Sequence, residues 1–109
     1  MPNFFLEAEV QTVPLKRVTI IAEAVLEERL VREVKQLGAR GYTITQARGE
    51  GSRGVRASEW EGQNIKLESI VSPAVADKIL AHLAEHYFEY YAVVAYAEHV
   101  EVVRGEKYV

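Results

Sequence analysis

The sequence predicts an α+β fold, a ferredoxin-like βαββαβ sandwich with a short C-terminal fifth strand. Three observations carry this. Strand-like stretches stand at 17–22, 42–47, 64–71 and 91–97; apolar stripes of helical spacing fall between the first and second and between the third and fourth; and a polar stretch at 48–63 divides the two halves. That order in roughly 100 residues reads as one split βαβ unit.

Residues 1–14 hold scattered apolar side chains and end on Pro14, and read as an N-terminal arm ahead of a single domain over 15–109. Arg17-Val18-Thr19-Ile20-Ile21-Ala22 is β-branched and mostly apolar, as in a strand buried on both faces. Leu26, Leu30, Val31, Val34 and Leu37 recur by threes and fours and predict a helix, with Glu28 and Arg32 paired on its wet side and Gly38 and Gly41 ending it. Tyr42–Ala47 alternates as a second strand. Residues 48–63 hold four of the seven glycines and no periodicity, and so form a long loop. Asn64–Val71 alternates again. Ser72-Pro73 is a helix start, a hydroxyl cap followed by a residue that needs no N–H, and Val75, Ile79, Leu83 and Tyr87 supply the stripe. Tyr91–Ala97 is the fourth strand and Val100–Val103 the fifth. Two helices cover only one sheet face. The other face, expected to be apolar or amphipathic, predicts association into a closed oligomer.

Composition narrows the function. Hydrophobic residues at 49% and charged residues at 27% suit a folded soluble domain, and no run reaches the ~20 apolar residues of a membrane helix. The first residues lack a basic, then apolar, secretory pattern. There is no cysteine, which excludes disulfides and thiolate chemistry and fits a cytoplasmic setting. A net charge of −3 gives no general attraction to nucleic acid or anionic lipid, so any anion must be held locally.

The candidate for that local site opens the loop. Arg48-Gly49-Glu50-Gly51-Ser52-Arg53-Gly54-Val55-Arg56 packs three arginines and three glycines into nine residues. Glycine lets successive amides turn toward an anion, and guanidinium groups present several donors to phosphate. The competing reading is a hairpin loop with solvated charges. Residues 49–54 also spell G-x-G-x-x-G, but no helical stripe follows until residue 75, so the dinucleotide fold is disfavoured.

Other candidates read as packing. His82 and His86 lie at the edge of the second helix stripe without a third ligand, so no metal site is expected. Paired carboxylates such as Glu27-Glu28 and Glu59 with Glu61 fall on solvated surfaces, and no serine, histidine and aspartate ordering suggests catalysis. The Tyr87–Tyr91 aromatic group reads as core and inter-subunit packing, with an adenine-stacking platform as the alternative. Trp60, alone in a polar loop, either folds back or anchors a partner.

Across roughly residues 17–107 the chain resembles PII-like signalling proteins of the SbtB type and their carboxysome-associated relatives. The resemblance rests on Ala39-Arg40-Gly41-Tyr42-Thr43-Ile44, on Gly49-Glu50-Gly51-Ser52-Arg53-Gly54-Val55-Arg56, on Tyr91-Ala92-Val93-Val94-Ala95-Tyr96 and on Val102 to Gly105. It implies a non-catalytic homotrimer that binds AMP, ADP, ATP or cyclic AMP between subunits and signals through a mobile T-loop, here about 49–63. It further implies a role in inorganic-carbon physiology, with bicarbonate as a candidate second effector. The candidate partner is a bicarbonate transporter or a carboxysome-related protein, which would bring a cytoplasmic protein to the membrane periphery. Carried over, Gly49, Gly51, Ser52, Arg53 and Arg56 hold phosphates. Gly41, Tyr42 and Thr43 with the Ala92-Val93-Val94 backbone line the adenine pocket, Arg104 and Gly105 contribute across the interface, and Trp60 meets the partner.

Three departures stand out. Val93 replaces the glycine of the similar Y-A-G-I-I-Y run, adding bulk beside the purine. The loop is short and has no tyrosine for modification. The sequence closes on Lys107-Tyr108-Val109 without the cysteine-bearing extension, so redox control is not expected. Two other classes compete. An acylphosphatase-like enzyme would carry its anion loop after strand one, whereas this loop follows strand two. A CutA-like trimeric metal-binding protein fits poorly with absent cysteines and dispersed histidines. RNA binding on the sheet is disfavoured by the charge and by the lack of paired exposed aromatics.

Overall fold

The computed structural model describes residues 10–49 and 63–109. Its elements are β1 (Thr12–Glu23), a 3-10 turn (Ala24–Leu26), α1 (Glu27–Gln36), β2 (Thr43–Ala47), β3 (Asn64–Val71), α2 (Pro73–His86), β4 (Val94–Val103) and a closing 3-10 turn (Gly105–Tyr108). The strands form one sheet in the order β2-β3-β1-β4 with antiparallel neighbours throughout. This is the ferredoxin-like arrangement expected from the sequence.

One face of the sheet makes the core. Val18, Ile20 and Ala22 of β1 and Leu67 and Val71 of β3 are buried against Leu26, Leu30 and Val34 and against Ala76, Ile79, Leu83 and Tyr87. The helix boundaries follow from local chemistry. Ser72 caps α2, its Oγ accepting the Val75 N–H at 3.2 Å, and Pro73 occupies the first turn where a missing N–H costs nothing. Gly38 follows α1 at φ +126°, a region that L side chains rarely adopt, and packs on Val75. Gly41 has no such φ; instead its carbonyl accepts the Ser69 hydroxyl at 2.6 Å. The ion pair along α1 joins Arg29 to Glu33, not Glu28 to Arg32.

Two strands are longer than expected. β1 begins at Thr12, so Thr12–Pro14 belong to the sheet and pair with Glu101–Val103 rather than to an arm. Pro14 is tolerated because β3 pairing starts only at Lys16, leaving one side of β1 without ladder bonds there. The expected fourth and fifth strands are one continuous β4, and it starts at Val94 rather than Tyr91. The extended β1 gives Glu98 and His99 partners in Arg17 and Lys16, so the polar dipeptide does not interrupt the ladder.

The face away from the helices is mixed, not an apolar sheet. Arg17 Nη2 donates to Glu98 Oε1 at 2.8 Å, and Arg17 Nε lies 3.9 Å from Glu68, which also meets Lys66 at 3.9 Å. The Glu98 hydrogen bond, then its charge, raises the Arg17 pKa above its ordinary value. Between Glu68 and Tyr96 sits Thr19, buried, its Oγ1 without a hydrogen-bond partner among the described residues. No helix among the described residues is long and apolar enough to cross a membrane.

Candidate functional site

The sheet register sorts the expected site residues by position. At one end, Glu23 pairs with Asn64 and Ile21 with Val94, while Ala47 pairs with Asn64. The Ala24 N–H donates to the Gln63 carbonyl at 3.3 Å, fastening the start of β3 to the turn after β1. The Ala92-Val93-Val94 segment and the two ends of the 49–63 loop therefore lie at the same end of the sheet, on its strands β4, β2 and β3. Gly49 is exposed there, with nothing within 4 Å of where a Cβ would stand. Gly51, Ser52, Arg53, Arg56 and Trp60 lie outside the described residues.

The other expected residues stand apart. Thr43 pairs with Glu68 toward the opposite end of β3, and Tyr42 beside it is exposed, with Lys35 Nζ 6.0 Å from its ring centre. Arg104 and Gly105 follow Val103, which pairs with Thr12, whereas Val94 pairs with Ile21. Nine residues of strand separate those pairs, a span of about 30 Å at ~3.3 Å per residue. Within one chain Arg104 cannot meet the Ala92–Val94 segment. It is exposed and takes a left-handed φ of 62°, turning the chain so that buried Gly105 lies flat on Val13.

The segment before β4 is fixed from both ends. Tyr87 is fully buried, and its carbonyl accepts the N–H groups of Tyr90 and Tyr91 at 3.0 and 2.9 Å; the Tyr91 carbonyl then accepts from Val93 at 3.0 Å. Val93 packs its side chain against the core, so its extra bulk relative to glycine is directed into the domain.

A polar cluster on α1 holds the same segment, and the sequence reading missed its centre, Glu33. The Tyr87 hydroxyl and His82 Nε2 approach Glu33 Oε1 at 2.6 and 2.8 Å, and Arg29 Nε donates to Oε2 at 3.1 Å. Burial opposes ionisation of Glu33, but the three donors, Tyr87 first, outweigh it and hold the carboxyl down at about 2. Burial, then the neighbouring Glu33, pushes the Tyr87 phenol well above its usual range. Arg29 lies 4.5 Å from the Tyr87 ring centre and donates to the Tyr91 hydroxyl at 3.2 Å. The missed signal was spacing: Glu33 stands three residues after Leu30 and four before Leu37, on the apolar stripe itself. The His82 and His86 rings lie 4.6 Å apart between centroids, tilted by 46°, and among the described residues no three acidic or histidine side chains gather as a metal site would need.

Comparison with known proteins places the fold. A PII-like signaling protein of Thermus thermophilus is 69% identical, covering 91% of this chain and 99% of its own, with a TM-score of 0.80. The CPII protein of Thiomonas intermedia, in a structure bound to ADP and bicarbonate, is 24% identical over 93% of this chain and 100% of its own, at a TM-score of 0.81. The same protein bound to ADP, AMP and acetate matches at 24% identity and a TM-score of 0.77, covering 91% of this chain and 98% of its own. The family model described as nitrogen regulatory protein P-II matches residues 15–107. With its sheet order, its paired helices and this match over most of its length, the chain belongs to the nitrogen regulatory P-II family.

Proposed function

We propose that this chain is a PII-like regulator that binds adenine nucleotides in clefts between the copies of a homotrimer and signals through its 49–63 loop. It acts by binding and not by catalysis. The observation that carries the reading is the separation along β4. Arg104 stands about 30 Å from the Ala92–Val94 segment of its own chain, so a site that uses both must take Arg104 from a neighbouring copy. The loop ends and the Ala92–Val94 backbone share one end of the sheet, which is where a purine and its phosphates would meet the glycine and arginine run from Gly49 to Arg56. The Gly41–Thr43 strand start completes the cleft from a neighbouring copy.

The nucleotide belongs to the AMP, ADP, ATP or cyclic AMP class. The Thiomonas CPII structures, with ADP, AMP and bicarbonate bound, support this choice and make bicarbonate the natural second effector. The loop, with Trp60 as its anchor, addresses a cytoplasmic or membrane-peripheral partner in inorganic-carbon physiology. Nucleotide phosphates would bias the loop between two states through Arg53 and Arg56.

Calorimetry and sedimentation on the purified chain test this together. Wild-type protein sediments as a trimer and binds AMP or ADP. Arg53→Ala with Arg56→Ala weakens binding at least tenfold, on the order of 1.4 kcal/mol, and Arg104→Ala weakens it without dissociating the trimer. A monomer, or unchanged affinity in both variants, overturns the reading. ATP recovered intact after incubation supports binding without hydrolysis.

A further inference from the structure

We infer that Arg29 and Glu33 of α1 are positioning residues for the nucleotide-binding backbone at Ala92–Val94, acting through Tyr87 and Tyr91. The inference rests on the proposed function and names a control element within the same site. The residues that would touch the purine do so through a segment with no regular structure, from Tyr87 to Val93. Such a stretch binds well only if its shape is set beforehand, because ordering it on binding subtracts from affinity. Two tyrosines set that shape. Tyr87 anchors the turn by accepting two backbone N–H groups, and Tyr91 accepts the N–H of Val93, the residue at the centre of the expected contact.

The hydroxyls of both tyrosines are held from α1. Glu33 accepts the Tyr87 phenol O–H, and Arg29, one turn earlier on α1, reaches both Glu33 and the Tyr91 hydroxyl with different guanidinium nitrogens. The planar fork spans two acceptors at once and lies over the Tyr87 ring, a geometry that a lysine ammonium cannot reproduce. Glu33, freed from the usual solvated role of a helix acid, accepts three donors and is the hub of the clamp. Its hydrogen bonds are charge-assisted, as is the one that Arg29 donates to Tyr91, and the Arg29–Glu33 bond joins two charged groups.

The test uses the full chain, with AMP as probe, and compares wild type with Tyr91→Phe, Arg29→Lys and the double variant. Tyr91→Phe deletes only the hydroxyl; Arg29→Lys keeps the charge and loses the fork. Each single change is expected to weaken AMP binding about three- to tenfold, and the double to weaken it no more than the larger single, since both remove one contact. The unliganded melting temperature stays within about 3 °C of wild type, while amide exchange at Ala92 to Val94 quickens in every variant. Wild-type affinity in Arg29→Lys or Tyr91→Phe, or losses that multiply in the double, overturns the positioning role and leaves the proposed function standing. Wild-type protein that binds no adenine nucleotide overturns the proposed function, and the exchange comparison then decides the clamp alone: unchanged exchange removes it as well.

Discussion

The phenol of Tyr87 donates to Glu33 over 2.6 Å, tying the last turn of α2 to the middle of α1. This contact helps to hold a carboxylate charged in a place where burial disfavours charge.

The Glu33 carboxyl lies at about 2, below its ordinary 4.5. Its contribution to stability is complete above the unfolded value and is lost as the pH falls through about 2. Glu33→Gln is expected to cost about 2 kcal/mol at pH 7, because it weakens three hydrogen bonds to a charged acceptor. Urea unfolding at pH 7, 4 and 2.5 checks this. The gap between wild type and variant narrows as the pH drops, and a gap independent of pH contradicts it.

Gly105 lies against Val13 so closely that an added Cβ would stand 2.5 Å from the Val13 Cβ. Gly105→Ala is expected to destabilise by about 1–3 kcal/mol through overpacking. Trimming the neighbour with Val13→Ala removes the Cγ2 and Cγ1 contacts at 2.9 and 3.3 Å but leaves the Cβ at 2.5 Å, and so gives only partial rescue. Equilibrium unfolding of the single and double variants decides it.

Ser72 supplies the side-chain oxygen that caps α2, accepting from Val75. Ser72→Ala should lower stability by about 1 kcal/mol, and Ser72→Asp should retain it. Thermal unfolding followed by circular dichroism reads both.

Val93 packs against the core from the segment ahead of β4. Restoring the glycine of similar sequences with Val93→Gly is therefore expected to cost about 1–3 kcal/mol, by loss of packing and gain of backbone freedom. It should not tighten AMP binding. A calorimetric gain of more than threefold would show that the side chain obstructs the purine instead.

Much of this fold was legible because its pattern is local. Asn64–Val71 alternates cleanly, and Ser72-Pro73 announces α2 through cap chemistry alone. Where the sequence misleads, a partner decides. Glu98-His99 looks like a break between two strands until it is set across from Lys16 and Arg17 of β1, where Arg17 pairs with Glu98. Gly41 likewise reads as a helix stop, yet its role is to present a carbonyl to Ser69. The candidate site was legible as motifs but not as a place. No periodicity tells that Arg104 stands a strand's length from Val94, or that Glu33 on the apolar stripe gathers three donors, because both facts belong to the register between distant segments.

Ala47 and Asn64 face each other as the last ladder pair between β2 and β3, so the ends of the loop are fixed side by side whatever it contains. Closing a loop between anchored ends grows costlier only slowly, about 0.6 kcal/mol for each doubling of length. Residues inserted into or deleted from that stretch therefore leave the sheet nearly indifferent. A domain of this design can exchange that segment for another while the scaffold beneath keeps its thermodynamics.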